Sequence, residues 1–407
     1  MKKGFVEILI GITIFGFLVT PVFADPSSRA IPISATGELT ILQVDDFDNK
    51  ISKTLYRLRD LRTNKTYKLK FRGKPPEQFR TGEIVAVRGK AEGRVLLVTG
   101  MAAVQLESEG LVTAGFSGEQ KTIVIVANFI DQSVSCSASD IQNRIFTDPS
   151  NQSVDDLYQE MSFGQLWFSG RVAGPFLINY GSTSSCNLSA WAEAADAAAR
   201  ASGVDLSIYN RKVYVMPRNN PCGYTGVATL GGNPSMAWIF RCDGNDTYAH
   251  ELGHNLGMHH AATPTNEYGD TSDIMGYSGF GLRHVNAPHK DQEGWLSSEQ
   301  ALSVVQSGTY HIAPLELDAA STLDPQILLI PKPDTGESYY LSYRQPIDFD
   351  ATLSSTYTKG VNIHRHTSGT STKTYFLSVL SDGGSFTDAT NGITITQTSH
   401  TDQYVTV

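Results

Sequence analysis

The sequence predicts an α+β protein in three parts: a central domain of twisted sheet plus helices, flanked by an N-terminal small β-barrel-like domain and a C-terminal β-sandwich. Between Lys121 and the residues before His250, apolar β-branched runs alternate with helical segments. On either side, short β-type runs are separated by turn residues and show no helical period. The length, 407 residues, also exceeds what a single hydrophobic core usually organises. The expected boundaries are residues 1–24 for a signal peptide, 25–115 for a β-rich propeptide, 116–300 for the catalytic domain and 301–407 for the C-terminal domain.

Met1 to Ala24 carries Lys2 and Lys3, an apolar run from Ile8 to Val19 and a small-residue ending at Val22 to Ala24. That is the layout of an export signal, and the run is too short to span a bilayer comfortably. A secreted, extracellular chain without stable membrane insertion is expected. Residues 36–107 then alternate β-type runs (38–44, 54–58, 83–88) with turns containing Gly, Asn or Asp, which suits a small barrel. From Lys50 to Arg94 there are 14 basic and 4 acidic residues, whereas residues 111–407 carry 15 basic and 29 acidic, a net of −14. The opposite signs suggest that the first part docks on the second, against the alternative that these charges only solvate strand faces. Basic strands on a barrel also suit nucleic acid, but export and the acidic remainder argue against a nucleic-acid partner. Latency until export is the sharper role. Without a cysteine the segment has no thiolate for a metal, which leaves Asp45, Asp46 and Asp48 as the carboxylates to consider. The Gly-rich stretch from Glu109 to Gln120 reads as a linker and maturation site.

The central region opens with the buried-strand run 121–128, followed by a helix over Val154–Met161. Ser189 is placed to cap an alanine-rich helix over 190–201 that Gly203 ends, and 212–216 supplies another strand. Residues 225–232, rich in glycine, fit an edge strand that a substrate backbone approaches closely. The four cysteines Cys136, Cys186, Cys222 and Cys242 suggest two disulfides. Three pairings are open, and proximity in sequence favours Cys222 with Cys242 and Cys136 with Cys186. Beyond Trp295 the runs 308–312, 326–330, 338–343, 374–380 and 392–396 read as strands of a sandwich.

Residues 250–260 carry the chemistry: HExxHxxGxxH. On a helix His250 and His254 lie one turn apart on the same face, so both imidazoles reach one ion. Gly257 ends the helix without Cβ strain and lets the chain bring His260, or with a different turn His259, to the same place. Three protein ligands leave a fourth position open for water, as in a catalytic rather than a structural zinc site. Glu251 is the candidate general base. Downstream, Asp273-Ile-Met-Gly276 and Tyr277 resemble the methionine-containing turn and following tyrosine of metzincin proteases, which implies Met275 as a soft floor beneath the histidines and Tyr277 at a developing oxyanion, where each alone reads as core or loop packing. The remaining histidines, His284, His289, His311, His364, His366 and His400, lack ligand spacing and read as surface or packed residues. Asp243 to Asp246 could suit calcium but reads better as a cap and turn.

These motifs, with 267–270 (EYGD), 286–296 (NAPHKDQEGWL), 153–164 (SVDDLYQEMSFG) and 339–346 (YYLSYRQP), resemble the gametolysin family of metzincin zinc metalloproteases from roughly residue 120 onward. The resemblance implies a Zn2+-dependent endopeptidase with His250, His254 and His260 as metal ligands and Glu251 and Tyr277 as catalytic residues. It further implies protein or glycoprotein substrates of a cell wall or extracellular matrix. The competing readings are a zinc amidase acting on a non-protein substrate such as peptidoglycan, and a catalytically silent secreted binding protein.

Overall fold

The computed structural model describes residues 31–104 and 115–407. The signal-peptide reading of residues 1–24 and the first half of the expected linker, residues 109–114, therefore lie outside the described residues, while residues 118–120 of that stretch begin a strand. Among the described residues, no helix is long and apolar enough to cross a membrane.

The N-terminal segment forms β1 (Ile31–Asp46), β2 (Ile51–Asp60), β3 (Thr66–Phe71), β4 (Ile84–Glu92) and β5 (Val95–Ala103). β1 pairs antiparallel with both β2 and β4, β2 with β3, and β4 with β5, while β3 and β5 run parallel. The five strands thus pair in a closed cycle. β1 is long because it serves two cores. With the two-residue period of a strand, Leu39 and Ile41 face the N-terminal core with Leu58, Val85 and Leu96. Leu42 and Val44 face the other way, into a cluster with Tyr214, Val227 and Trp238.

The central domain follows as β6 (Gly118–Asn128), α1 (Ala138–Gln142), α2 (Val154–Met161), β7 (Leu166–Leu177), α3 (Leu188–Ala201), β8 (Arg211–Val215), β9 (Gly226–Thr229), β10 (Ser235–Ile239) and α4 (Asn245–Asn255). Its sheet runs β9-β10-β8-β6-β7, and β1 extends it at the β9 edge. β10, β8, β6 and β7 are mutually parallel; β9 is antiparallel to β10 and to β1. Helix α2 starts at a reciprocal Ser153–Asp156 capping box, which fixes its beginning where the sequence predicts it. Helix α3 is capped by Asn187 rather than Ser189, so it begins two residues earlier than expected. An asparagine caps as well as a serine, and Leu188 gains burial inside the helix. Below the sheet α2 meets α4, where the Tyr158 hydroxyl donates to the Ala249 carbonyl at 2.8 Å.

The N-terminal segment docks by strand addition and apolar burial, with Arg57 donating to the Ser189 hydroxyl at 3.0 Å and Arg80 favouring the charge of Glu293. Between the two parts, the Lys/Arg ion pair among the described residues joins Arg218 to Asp48, so the acid lies in the basic segment and the base in the acidic one.

The disulfides are Cys136–Cys242 and Cys186–Cys222, not the pairs favoured by proximity in sequence. Cys222 and Cys242 flank the antiparallel β9–β10 pair, in which Gly226 lies opposite Ile239, yet each is bonded to a different upstream segment. Cys242 instead reaches the segment before α1, and Cys222 the segment before α3.

After α4 come β11 (Ala261–Ala262), α5 (Ala287–Gln292), β12 (Ala301–Ser303), β13 (His311–Ile312), β14 (Ile327–Lys332), β15 (Glu337–Tyr343), β16 (Val361–His366) and β17 (Thr374–Val379). They build a six-stranded sheet in the order β11-β17-β16-β15-β14-β12, while β13 pairs with residues 405–406 in a smaller one. Ile312, Leu341, Ile363, Ile395 and Val405, drawn from the large sheet and the small ones, share a core. β16 is a strand that the sequence reading leaves out. Its polar residues are buried with partners: His364 Nε2 lies 2.9 Å from Asp270 Oδ2, and Asn362 donates to the Tyr357 carbonyl at 2.8 Å. Because β11 begins at the residue after His260 and pairs with β17, this sheet reaches the histidine motif itself.

Candidate metal centre

Helix α4 is buried along nearly its whole length, from Asp246 to Asn255. The Asp243–Asp246 stretch is the turn that starts it, with Asp246 paired to Arg241 and accepting from the Ser278 hydroxyl. At its other end Gly257, at φ +93°, reverses the chain, and the Gly257 and Met258 amides return to the carbonyls of His254 and Gly253. The chain then delivers His260 to the face that His250 and His254 present. His259 points elsewhere, its Nε2 lying 3.2 Å from the Glu77 carbonyl of the N-terminal segment.

All three imidazoles of the cluster are oriented the same way. Their Nδ1 atoms lie 2.9 Å from the Ile274 carbonyl, 2.7 Å from the Met258 carbonyl and 2.9 Å from Glu267 Oε1, for His250, His254 and His260 respectively. Such partners turn each Nε2 inward. The three Nε2 atoms are buried and converge, and apart from Asp45 they meet no hydrogen-bonding group, an expensive arrangement unless a cation sits among them. A fourth group joins them from β1. Asp45 is fully buried, with Oδ1 2.9 Å from His260 Nε2 and Oδ2 3.4 and 3.9 Å from those of His254 and His250. One ligand atom from each of Asp45, His250, His254 and His260 falls within 4.8 Å of the others. Three imidazole nitrogens and a carboxylate oxygen suit a divalent transition ion, zinc among them.

The electrostatics fit a site built for a cation. Burial and the neighbouring imidazoles push His250 well below its usual pKa, and burial lowers His254 despite Asp45. His260 goes the other way: burial opposes its charge, but Asp45 and Glu267 override it and raise the imidazole to about 9. Without a metal ion, a proton there balances the buried Asp45 carboxylate.

Glu251 is also buried, and neither carboxylate oxygen has a hydrogen-bond partner. Burial, with Asp45 adding its charge, drives its pKa well up. The carboxylate lies against β9 at Gly226, where any Cβ would overlap it. Met275 is fully buried beneath α4, its sulfur against Gly253 where a side chain would collide. Tyr277 packs its ring on Phe47, Tyr268 and Phe280, with Lys50 Nζ 5.0 Å above it. The tyrosine whose hydroxyl reaches the cluster is Tyr268, which donates to Asp45 Oδ1 at 2.7 Å and packs at a tilt against the His260 ring, 4.5 Å between centroids. Glu267, held down to about 2 by His260 and Lys373 against its burial, fixes the His260 ring. Sequence reasoning quoted the segment 267–270 as a match but gave neither Glu267 nor Tyr268 a role. Asp45 was one of three carboxylates named. Asp46 and Asp48 are partnered elsewhere, with Asn49 and Arg218.

Two solved structures show partial likeness. The crystal structure of metalloproteinase-II from Bacteroides fragilis is 12% identical over 65% of this chain and 92% of that one, with a TM-score of 0.28. A chaperone–substrate complex is 14% identical over 53% of this chain and 36% of that one, with a TM-score of 0.24. At such scores neither informs the site. Autolysin of Chlamydomonas reinhardtii is 34% identical over 138 residues, which is 31% of this chain and 21% of the relative's own length. The chain thus matches about a fifth of that relative. The family model described as gametolysin peptidase M11 matches residues 121–381, running past the boundary expected at residue 300 and including every residue of the cluster except Asp45. With more than half of its length so matched, the chain belongs to the gametolysin peptidase M11 family of metallopeptidases.

Proposed function

We propose that this protein is a secreted zinc metalloendopeptidase of the metzincin type, with His250, His254 and His260 as ligands and Glu251 as general base. The observation that carries the reading is the convergence of three buried Nε2 atoms, beside the buried Glu251 carboxylate that has no hydrogen-bond partner. When bound, zinc supplies Lewis-acid polarisation of the scissile carbonyl and acidifies the attacking water. Glu251 takes the proton of that water as it attacks and passes it to the departing amine nitrogen. The edge of β9 is the place where an extended substrate would pair by strand addition, in the lane that β1 now fills.

Tyr277 is assigned to the developing oxyanion, on the side of the cleft that Phe47 fills between the His250 and Tyr277 rings. Tyr277→Phe is expected to lower kcat by about 10²-fold at nearly constant KM, as for loss of one oxyanion donor. Equal kcat for variant and wild type removes the assignment. Gly226→Ala should displace the Glu251 carboxylate and cost about 10²-fold in kcat/KM, since a misplacement of about 1 Å has that effect. Steady-state kinetics on a quenched peptide reads both.

Residues 25–115 are assigned as a propeptide whose closed five-strand cycle makes a small barrel, and residues 301–407 as a sandwich supporting the catalytic domain. The two disulfides and the export signal read in the sequence support secretion. Cell-wall or matrix glycoproteins are the substrates suggested by the family. The deciding experiment is a digest of proteome-derived peptides with and without chelator. Cleavage of internal peptide bonds that stops with chelator supports the reading; release of amides only from peptidoglycan favours the amidase.

A further inference from the structure

We infer that Asp45 is a fourth protein ligand of the metal and that β1 fills the substrate groove, so that the chain retaining its N-terminal segment is a latent enzyme closed by its own carboxylate. The inference rests on the zinc reading above. It adds a ligand from outside the family-matched residues and a reason for its presence.

The first support is the carboxylate itself. Asp45 is buried in a site whose neighbours at this face are imidazoles, and a lone buried carboxylate is costly unless a cation meets it. Its two oxygens are treated differently. Oδ1 accepts from Tyr268 and lies 2.9 Å from His260 Nε2, whereas Oδ2 has no close hydrogen-bond partner and faces the Nε2 atoms of His250 and His254. One oxygen is held in place, which leaves the other to bind a metal ion.

The second support is the backbone that carries it. Leu42 to Asp45 pairs antiparallel with Thr229 to Gly226, the full length of β9. The Asp45 carbonyl accepts from both the Thr225 amide at 2.8 Å and the Thr225 hydroxyl at 2.7 Å, and the Phe47 amide donates to that hydroxyl at 2.9 Å. Phe47 then packs edge-on against the His250 ring, 4.9 Å between centroids, and is itself buried. Each of these contacts takes a feature that catalysis needs free: the strand edge, the face of a ligand ring and the position opposite the three histidines. Four protein ligands leave no place for water, which is what separates a closed zinc site from a catalytic one. The neighbouring carboxylates, Asp46 half-buried at the end of β1 and Asp48 exposed on the turn, make none of these contacts.

The test uses the full chain loaded with Co2+, whose visible spectrum reports the ligand set, and acetohydroxamate as a small probe for an open coordination position. In wild type the cobalt bands should stay unchanged as acetohydroxamate is added. In Asp45→Asn, which keeps the shape and an acceptor for Tyr268, and in Asp45→Ala, the bands should differ from wild type before addition and shift on addition. Half-saturation should fall by about 10²-fold or more, the advantage of a tethered competitor over a free one. Asp48→Ala should behave as wild type. If the wild-type spectrum shifts at the same acetohydroxamate concentration as the Asp45 variants, the inference is wrong while the zinc reading stands. A chain that takes up no cobalt overturns both. Should Asp45→Ala fail to fold, the wild-type titration and Asp45→Asn still decide.

Discussion

Replacing Glu251 by Gln is expected to lower kcat/KM for an internal peptide bond by about 10² to 10⁴-fold while leaving the metal content at its wild-type value. The two effects separate because Glu251 sits beside the ligand set without belonging to it: the cluster that can hold an ion consists of Asp45, His250, His254 and His260. Glutamine keeps the volume of a side chain packed against Gly226, so the groove and the helix survive the change. What it lacks is the ability to take a proton from water. Both proteins should be assayed after the same cut between residues 104 and 115, so that the N-terminal segment does not mask the comparison. A Gln variant that cuts within a few-fold of wild type removes Glu251 from the mechanism.

Loss of the Cys136–Cys242 disulfide, as Cys136→Ser with Cys242→Ser, is expected to destabilise the chain by about 5 kcal/mol, against about 4 kcal/mol for Cys186 and Cys222. The order follows from sequence separations of 106 and 36 residues, because the longer bridge removes more freedom from the unfolded chain. The first bridge ties the segment before α1 to the residue that ends β10 and leads into α4. Its loss should therefore also loosen the metal centre. Urea unfolding of the two double variants, followed by tryptophan fluorescence, gives the comparison. A larger loss from the Cys186–Cys222 pair would contradict it.

The histidine cluster was legible because its members are local in sequence. His250, Glu251, His254 and His260 are fixed by helical spacing and one glycine turn, and the structure brings the three imidazoles together at that spacing. Helix α2 and the strands around 121–128 and 212–216 were legible for the same reason, since a capping box and an apolar run are read from adjacent residues. What depended on distant partners was not. Asp45 is one carboxylate among three close together in sequence, and only the pairing of β1 with β9 aims it at the histidines. The disulfides follow from where β9 and β10 carry their ends. β16 looks too polar for a central strand until Asp270 and Tyr357 are seen to satisfy its His364 and Asn362. Tyr268 and Glu267 lie in a quoted motif, yet their roles come from which ring and which carboxylate they touch.

Metal analysis of the purified chain and of His254→Ala tests the central claim most directly. The account predicts one zinc ion per wild-type chain and far less in the variant, because two imidazoles and a carboxylate bind more weakly than the full cluster. Wild-type protein that cleaves peptides while carrying almost no metal, or a variant that keeps its full zinc complement, would contradict the assignment of these histidines.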